Sequence, residues 1–425
     1  WGIRDLFHHA LSGIGSAVRQ EPGLVSIGVD SWAVDYALLQ GDRMLAEPFH
    51  YRDERTTAGV AATEALVARD ELYATNGLQF LTFNTLYQLA ADRLEGTLMQ
   101  ADSFLLIPDL INFWLTGRRF TERTNASTTG LLGIRTESWD NALIDRLQLP
   151  LGIFPELISA GSEVGALLPE LAAELGTGSA LRVSAVASHD TASAVVSVPA
   201  TDPDFAYISC GTWSLVGVEL DEPVLSNESR RANFTNEGGV DGRVRYLRNV
   251  MGLWMLSESV RQWERSGERI DLGDLLAAAT SYTGPVPIVD VNDPRFQPPG
   301  DMPARVAEYC VERGLPVPGS RAAMARTIVE GLAVAYADTI ETARALTGKT
   351  ISVVHVVGGG SQNRLLCQLT ADRSGLPVVA GPVEATAIGN ILVQARAQGL
   401  VNGDLETLRG LVARSTSQAR YLPRA

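Results

Sequence analysis

The chain has 425 residues, of which 45% are hydrophobic and 20% are charged, an ordinary balance for a folded globular protein. Single hydrophobic cores seldom grow past roughly 250–300 residues, so we expect two domains. The 49 acidic residues against 35 basic ones give a formal net charge of −14, which disfavours nucleic acid and anionic membranes as partners because both attract basic surfaces.

The cysteines and the apolar stretches narrow the class of protein further. Cys210, Cys310 and Cys367 lie far apart and form no CxxC pair, so they indicate neither a zinc site nor a disulfide framework. The apolar stretch 104–115 contains Pro108 and is shorter than the ~20 residues that a membrane helix needs. We therefore expect a cytoplasmic protein with no membrane partner and no metal held by its side chains.

Helical and strand patterns alternate along the first half of the chain. Apolar residues at helical spacing predict a helix over 3–18, and apolar runs predict strands at 24–29 and 34–39 around a tight segment at 30–33. Further helical patterns, with Gly117 placed to end the third of them, lie at 58–69, 85–95, 103–116 and 140–147. A strand is predicted at 181–187, before a stretch of small residues.

The second half repeats this alternation. Residues 205–209 and 214–219 predict a hairpin with Gly211 at its tip. Later patterns predict helices at 251–262 and 322–346, a strand at 351–357 and a helix from about Arg364, whereas the proline-rich stretch 284–303 is predicted to be irregular. Both halves place a glycine-containing turn between strands, which favours two related α/β domains.

Asp190 stands between the predicted strand at 181–187 and a predicted helix. A buried strand before it and a helix N-terminus after it would hold its carboxylate in one place, and the helix dipole favours its negative charge. A carboxylate held in this way can take a proton from a hydroxyl. The alternative is that Asp190 only caps the helix, the commoner role of a single aspartate at such a position.

Two glycine-containing turns could bring backbone N–H groups close to phosphate oxygens. Gly211 and Thr212 lie at the predicted hairpin tip, where glycine removes the Cβ obstacle, unless Gly211 is there only to supply a positive φ angle. The glycines at 358–360 lie between a predicted strand and a predicted helix, a place suited to a nucleotide. The GxGxxG and GxxxxGK(S/T) patterns are absent, which excludes the dinucleotide and P-loop interpretations.

Three further features have two interpretations each. Asn249 could contact a ligand, or it could cap a helix beginning at Val250. Trp32, beside Ala33, could present an aromatic face to the C–H surface of a sugar, or it could belong to the core. The segment 51–55, Tyr-Arg-Asp-Glu-Arg, could bind a sugar, or it could be only a solvated loop.

Taken in order, these segments resemble the FGGY family of carbohydrate kinases, and within it the rhamnulokinases. The resemblance covers nearly the whole chain. The stretches that carry it are GVDSWAVD at 28–35, YRDERT at 51–56, FNTLYQL at 83–89, SHDTASAV at 188–195, GTWSL at 211–215, NEGG at 236–239, NVMGLW at 249–254 and GGGSQN at 358–363.

The resemblance implies an α/β fold of two ribonuclease-H-like domains, of the actin, sugar-kinase and Hsp70 type, flanking a catalytic cleft. Residues 1–196 would form the sugar-binding domain and residues 197–425 the nucleotide-binding domain, with the last helix packing back on the first. The resemblance also implies that the protein is a monomer or a homodimer. Its implied partners are a ketose substrate and ATP, with Mg²⁺. The implied reaction is the ATP-dependent phosphorylation of L-rhamnulose to L-rhamnulose 1-phosphate in L-rhamnose catabolism.

The resemblance also assigns roles to individual residues. Asp190 matches the catalytic base of the family and also contacts the sugar. The other positions that match sugar contacts are Ala33, His189, Thr191 and Asn249, and those that match nucleotide contacts are Thr212 and Gly359. Ala33 stands where the family usually has glycine, so one extra methyl group would narrow the sugar pocket.

Two alternatives to this interpretation stay open from the sequence. The enzyme could act on a related ketose, such as L-fuculose or a pentulose, or the chain could be a catalytically silent sugar-binding or regulatory protein on the same scaffold. Family members begin with a strand pair that carries a phosphate-binding hairpin, and this sequence begins after that point. We expect that the sequence omits this segment, rather than that the protein is truncated.

Overall fold

The structure is a computed structural model that describes residues 1–177 and 181–424. Its chain forms two compact units, each assembled from separate stretches of sequence. The first unit comprises Trp1–Ser197, Leu220–Tyr246 and Thr386–Leu408, and the second comprises Val198–Glu219, Leu247–Ala385 and Arg409–Ala425. The division into domains 1–196 and 197–425 stays a prediction.

The regular elements alternate along the chain, as the sequence predicts. The helices are α1 Ile3–Gln20, α2 Thr56–Glu64, α3 Arg69–Asn76, α4 Thr85–Glu95, α5 Ile107–Thr116, α6 Arg123–Ala126, α7 Asn141–Arg146, α8 Pro169–Leu175, α9 Asp190–Val196, α10 Asn227–Arg231, α11 Trp254–Arg265, α12 Leu272–Thr280, α13 Met302–Glu312, α14 Arg321–Thr347, α15 Arg364–Ser374, α16 Ala385–Ala397 and α17 Leu405–Ser415. Among the described residues, none of these helices is both long and apolar enough to cross a membrane.

The strands are mostly short in the first unit and longer in the second. They are β1 Ser26–Ile27, β2 Tyr36–Gln40, β3 Arg43–Met44, β4 Ser103–Leu106, β5 Thr121–Glu122, β6 Leu132–Gly133, β7 Ser138–Trp139, β8 Leu157–Ile158, β9 Glu163–Ala166, β10 Arg182–Ser184, β11 Phe205–Cys210, β12 Trp213–Leu220, β13 Thr235–Gly238, β14 Val244–Met251, β15 Val353–Val357, β16 Val378–Ala380 and β17 Ala419–Tyr421.

The first unit contains two three-stranded sheets. In one, β10 pairs in parallel with β1 and antiparallel with β9; in the other, β2 pairs antiparallel with β3 and β4. Every residue of β4 is buried, and successive side chains enter different apolar clusters, Phe104 and Leu106 one and Leu105 another. A strand buried on both faces reads as a continuous apolar run, which explains the lack of alternation in its sequence.

The predicted helix over 103–116 is therefore wrong in its first turn. Residues 103–106 form β4, and α5 begins only at Ile107, with Pro108 in its first turn. The chain ends the helix at Gly117, which adopts a left-handed conformation with φ 74°, as predicted. An apolar run of this length does not itself distinguish a buried strand from a helix.

The other predictions for the first unit are confirmed with shifted boundaries. The helix at 85–95 is α4, whereas the pattern at 58–69 corresponds to α2 and to the start of α3, which are separate helices. The strand predicted at 24–29 is paired over β1 alone, and the one predicted at 181–187 is paired over β10 alone.

The strands of the second unit lie in one mixed sheet, in which β14, β12, β11, β15, β16 and β17 are successive neighbours. The predicted hairpin is confirmed, because β11 and β12 pair antiparallel with Cys210 opposite Ser214. β15 pairs in parallel with β11 and β16, and four of its five residues are buried. The long helix α14 begins after Ser320, whose side chain accepts a hydrogen bond from the N–H of Ala323, and it ends at Gly348 with φ 68°.

Helix α9 packs closely against helix α16 within the first unit. A Cβ atom added to Gly389 of α16 would lie 1.8 Å from the carbonyl oxygen of Ser193 in α9, so only glycine permits this separation. The hydroxyl of Thr386, also in α16, donates to the carbonyl oxygen of Asp190 at 3.2 Å. The position of α9, and with it that of Asp190, therefore depends on a close helix contact.

We predict that Gly389→Ala lowers the free energy of unfolding by about 1–3 kcal/mol, the usual cost of overpacking a well-filled interior. The matched control is Gly13→Ala in the exposed face of α1, where an added Cβ atom meets no heavy atom within 4 Å. That change should be neutral or stabilising by up to about 1 kcal/mol, because alanine favours helix over glycine. Urea unfolding of both variants gives the comparison, and equal effects would show that α9 and α16 are not in this contact.

Candidate active site

Asp190 is the first residue of α9 and is reached directly from β10. The N–H of Ser31 donates to the carbonyl of Ser188 at 3.0 Å, and the N–H of Asp190 donates to the carbonyl of Ser31 at 2.9 Å, so the two segments pair beyond the end of the strand. The Asp190 side chain is 45% exposed. His189 occupies the N-cap position and no side-chain hydrogen bond caps α9, so the capping interpretation of Asp190 is wrong.

The segment before Asp190 is fixed by the buried carboxylate of Glu122. Its Oε2 accepts hydrogen bonds from the N–H of Ser188 at 2.9 Å and from the Ser188 hydroxyl at 3.1 Å. Its Oε1 accepts from the N–H of Thr124 at 3.0 Å, and the hydroxyl of Thr124 in turn accepts from the N–H of His189 at 3.4 Å. The backbone at residues 188–189 is thus held by two side chains of the β5–α6 connection.

The imidazole of His189 lies between Asp190 and two buried charged residues. Its Nε2 faces Oδ1 of Asp190 at 3.5 Å. On the other side, its Nδ1 lies 3.1 Å from Nη2 of Arg245 and 3.4 Å from Oε2 of Glu237. Arg245 is fully buried and its Nη1 lies 3.1 Å from the same Oε2 atom of Glu237, so the two residues form a buried ion pair behind the histidine.

Hydrogen bonds to Arg245 and to Glu237 need opposite roles of Nδ1 of His189, acceptor for the first and donor for the second. A guanidinium has no acceptor and a carboxylate has no donor, so Nδ1 must either accept from Arg245 or donate to Glu237. The contact with Arg245 is the shorter and has hydrogen-bond geometry, which favours Nδ1 as the acceptor, whereas a hydrogen bond to Glu237 requires the proton on Nδ1. In the tautomer that Arg245 favours, the proton is on Nε2, the atom that faces Asp190.

Two opposing influences act on the pKa of Glu237 in this ion pair. Burial is the largest single influence and raises the pKa of Glu237, but the charge of Arg245 and the contacts with His189 together outweigh burial and hold this pKa below its ordinary value. Glu237 is therefore ionised and compensates the charge of Arg245, which would otherwise be buried alone at a cost of several kcal/mol.

Asp30 is a second carboxylate close to Asp190. Its Oδ2 accepts a hydrogen bond from Nδ2 of Asn390 in α16. Burial raises the pKa of Asp30 to about 6, and the nearby charge of Asp190 adds to this rise, whereas the hydrogen bond from Asn390 opposes it. The site thus contains two carboxyl groups in different environments.

Ala33 lies next to a strained turn. Val34 has a φ angle of 68°, a conformation that β-branched residues rarely adopt. The carbonyl oxygen of Val34 accepts from the hydroxyl of Thr85 at 2.8 Å and from Nε2 of Gln88 at 3.3 Å. These two bonds from α4 hold the turn and therefore fix the methyl group of Ala33.

The same turn is anchored by the buried carboxylate of Asp35. This group accepts hydrogen bonds from the indole N–H groups of Trp1 and Trp32 at 2.6 and 3.0 Å, and from the N–H of Tyr51 at 3.2 Å. The Trp1 and Trp32 rings lie 4.3 Å apart. Trp32 is half-buried, so it belongs to an aromatic cluster and still has part of its surface exposed.

The arginine at the end of the 51–55 segment has a structural partner. Nη1 of Arg55 lies 2.5 Å from Oδ1 of Asp92, and both side chains are nearly buried. Asp92 also accepts a hydrogen bond from the hydroxyl of Tyr36. The charge of Arg55 is therefore committed to the interior of the first unit.

The second unit brings Thr212 close to the segment that follows Asn249. The N–H groups of Leu253 and Trp254 donate to the carbonyls of Gly211 and Thr212 at 3.0 and 3.2 Å. A Cβ atom at Gly252 would lie 2.5–2.8 Å from this backbone, so glycine is required there. Asn249 itself is half-buried in β14, and α11 begins only at Trp254, so the interpretation of Asn249 as a helix cap is wrong.

The glycines at 358–360 pack on the same hairpin. A Cβ atom at Gly360 would lie 2.1 Å from Sγ of Cys210, and one at Gly358, which has φ 83°, would lie 3.0 Å from the Cys210 carbonyl oxygen. A Cβ atom at Gly359, in contrast, would meet no heavy atom within 4 Å. The two outer glycines bring the loop against the hairpin, and the middle one faces open space.

Thr212 and Gly211 are both exposed at the hairpin tip, and Gly211 does not have a positive φ angle. The structural explanation for Gly211, a positive φ in the turn, is therefore wrong. Open space over Gly359 and the exposed residue Thr212 fit a nucleotide whose phosphates and nucleoside lie along this surface. Among the described residues, no group of three or more histidine, cysteine or acidic side chains could hold a metal ion.

The predicted site residues thus fall into two groups. Ala33, His189, Asp190 and Thr191 lie in the first unit, where the hydroxyl of Thr191 donates to Oδ1 of Asp190 at 3.2 Å. Thr212, Asn249 and Gly359 lie in the second. The sequence analysis missed the residues that hold the first group in place, which are Asp30, Glu122, Glu237, Arg245 and Asn390.

We predict that Glu237→Gln and Arg245→Met each lower the free energy of unfolding by about 3–5 kcal/mol, because each leaves a buried charge without its partner. The double variant removes both charges and should lose much less than the sum of the two single losses. Denaturant unfolding of the four proteins measures this coupling. Additive losses would mean that the two side chains do not interact.

We also predict that Asp30→Asn becomes more stabilising as the pH rises. A carboxyl group whose pKa is about 6 in the folded state and 3.8 otherwise binds more protons in the folded state, so the stability of the parent falls as pH rises through 6. The variant lacks this loss, and its advantage should grow by about 1 kcal/mol between pH 5 and pH 8. A difference between variant and parent that does not change with pH would contradict the assignment.

Comparison with known proteins identifies the family. The model of the N-terminal domain of the FGGY family of carbohydrate kinases matches residues 3–197, and that of the C-terminal domain matches residues 206–398. A rhamnulokinase of Bacteroides thetaiotaomicron is 40% identical over 426 aligned positions, which cover 100% of this chain and 87% of that protein. A rhamnulokinase of Pectobacterium carotovorum is 42% identical and covers 100% of this chain and 84% of its own.

Solved structures show the same fold. A gluconate kinase from Lactobacillus acidophilus aligns with a TM-score of 0.80 at 19% identity, over 99% of this chain and 85% of that one. Plasmodium falciparum glycerol kinase with ADP aligns with a TM-score of 0.75 at 15% identity, over 98% and 84%. The predicted two-domain α/β fold of the sugar kinases is confirmed, and the chain belongs to the FGGY family of carbohydrate kinases.

Proposed function

We propose that the protein transfers the γ-phosphoryl group of ATP to the primary hydroxyl of L-rhamnulose, giving L-rhamnulose 1-phosphate. Two relatives about 40% identical over the whole chain bear the name rhamnulokinase, which supports this sugar. The observation that carries the chemistry is the half-exposed carboxylate of Asp190, held at the start of α9 with His189 Nε2 3.5 Å away.

Asp190 is proposed to act as the general base. Its carboxylate can accept the proton of a hydroxyl placed against its exposed side, and the hydrogen bond from the backbone N–H of Asp190 to Ser31 fixes the backbone from which the side chain projects. His189, with its proton on Nε2, can donate either to Asp190 or to a sugar oxygen. Thr191 is proposed to contact the sugar beside them, and Ala33, fixed by the strained turn at Val34, to bound the sugar pocket with its methyl group.

The remaining assignments concern the second unit. Thr212 and Gly359 are proposed to contact ATP, because the hydroxyl of one is exposed and the backbone of the other faces open space. Asn249 is proposed to contact the sugar. ATP supplies the phosphoryl group, and Mg²⁺ is proposed to bind chiefly through the phosphate oxygens, as it usually does in kinases.

The role of the protein in such a reaction is mainly positioning. Phosphoryl transfer passes through a loose transition state. Its stabilisation depends on alignment of the reacting groups and neutralisation of charge more than on strong activation of the nucleophile. A carboxylate fixed by backbone hydrogen bonds supplies alignment, and it accepts the proton late. Rigid attachment of residues 188–190 through Glu122 therefore bears directly on the rate.

The proposal is tested by measuring ADP release with L-rhamnulose, L-fuculose and D-xylulose. We predict that kcat/KM for L-rhamnulose exceeds the other two at least tenfold, a difference of about 1.4 kcal/mol in transition-state binding. Asp190→Asn, the matched inactive variant, should lose about 10²–10⁴-fold in kcat while retaining the fold and ketose binding.

Three outcomes would overturn parts of the proposal. A preference for L-fuculose or D-xylulose would assign the enzyme to a related ketose. Full activity of Asp190→Asn would remove Asp190 as the base. Ketose binding without ADP release from the parent would indicate a silent sugar-binding protein.

A further inference from the structure

The first unit contains a cavity of about 320 Å³ outside the candidate active site. It lies between α3, the loop that leads into α4, and α10, and its lining includes none of the residues assigned to the sugar or to the nucleotide. This volume is near the lower end of the range found for small-molecule sites. The cavity is therefore large enough for a small metabolite.

Three arginines give the cavity a charge opposite to that of the whole protein. Arg69, Arg230 and Arg231 line it, although the chain carries a net charge of −14. Arg69 is paired with Glu64 and lies 3.6 Å from the centre of the Phe80 ring. Within residues 1–177 and 181–424, neither Arg230 nor Arg231 forms an ion pair with an acidic side chain.

Arg230 also carries an unsatisfied donor. Its Nε atom is buried and has no hydrogen-bond partner among the described residues. A buried donor without a partner costs about 1–3 kcal/mol, and more when the group is charged. An acceptor bound in the cavity would remove this cost.

A second type of donor is the phenol of Tyr87, which also lines the cavity. Burial raises the pKa of Tyr87 to about 12, and the charge of Arg69 only partly opposes this rise. The hydroxyl therefore stays protonated at neutral pH. The rings of Phe80 and Tyr87 meet edge to face, 5.8 Å apart, and give one side of the cavity an apolar surface that suits a carbon skeleton.

The cavity is formed before any ligand binds. Oδ1 of Asn233 accepts from the N–H of Phe80 at 2.8 Å, and Nδ2 of Asn233 donates to the Phe80 carbonyl, so the loop is fixed to the residues that follow α10. Nδ2 of Asn84 donates to the carbonyl of Gln79 at 2.9 Å and closes the loop on itself. Little ordering is then needed on binding, which favours affinity.

We propose that this cavity binds the phosphate group of a small phosphorylated metabolite, with Arg230 and Arg231 as the residues that recognise it. Two guanidinium groups that line one cavity can bind the oxygens of a phosphate, and the aromatic side of the cavity accommodates a sugar-sized remainder. The site is separate from the one in the proposed function and does not depend on which ketose is phosphorylated. Free phosphate and a sugar phosphate share this chemistry.

The test is isothermal titration of the whole protein with fructose 1-phosphate and, separately, with inorganic phosphate in a phosphate-free buffer. Arg230→Gln/Arg231→Gln should bind one equivalent fewer than the parent, or bind it more than tenfold more weakly. The matched control is Arg135→Gln, an exposed arginine of the same unit that does not line the cavity. Its binding should equal that of the parent, and kcat and KM should stay within twofold in both variants.

The two ligands distinguish the sources of the phosphate group. Tighter binding of fructose 1-phosphate by tenfold or more would identify a sugar ester as the ligand, and equal affinities would identify free phosphate. Unchanged stoichiometry and affinity in the double variant would overturn the proposal. If the double variant does not fold, Arg231→Gln alone, at an exposed position, should still weaken binding, and no effect there would equally overturn it.

Discussion

The buried carboxylate of Glu122 joins two parts of the first unit that are far apart in sequence. It caps α6 through Thr124 and at the same time accepts two hydrogen bonds from Ser188, the residue two positions before Asp190. Burial raises the pKa of Glu122, and its neighbour Asp109 has a pKa well above its ordinary value for the same reason. Burying these acids costs free energy. Glu122 is nevertheless buried at the place where its side chain fixes the backbone before the candidate base Asp190.

The buried ion pair of Arg245 and Glu237 contacts the Nδ1 side of His189. Buried ion pairs usually contribute little net stability, because desolvation offsets the attraction between the charges. Arg245 and Glu237 are therefore better explained by what they impose on His189. Arg245 favours the tautomer in which Nδ1 of the imidazole accepts a hydrogen bond and the proton is on the face towards Asp190. The ion pair therefore orients the His189 side chain next to Asp190.

Features set by neighbouring residues could be predicted from the sequence. The placement of Asp190 at the start of a helix, the hairpin around Gly211 and the helix beginning at Arg364 each follow from patterns within about ten residues. Residues 103–106 were predicted wrongly, because their strand pairing with β2 lies over 60 residues away in sequence. The roles of Glu122 and Arg245 beside the candidate base could not be predicted for the same reason, since Glu122 is 66 residues from Ser188 and Arg245 is 56 residues from His189. Distant pairing leaves no periodic signal in a single sequence.

Asn390 connects two segments that lie about 360 residues apart in the sequence. It donates hydrogen bonds to Asp30 and to the carbonyl of Gly28, and a Cβ atom at Gly28 would lie within 2.5–2.8 Å of Val186 and of the α16 side chains. The first unit is thus completed by a helix that the ribosome adds only after residue 384. During synthesis, the surface of residues 28–30 has to remain uncovered while the whole middle of the second unit emerges. Folding of the two units is consequently interleaved in time, and the contacts that set the environment of Asp30 and Asp190 can form only after α16 has been synthesised.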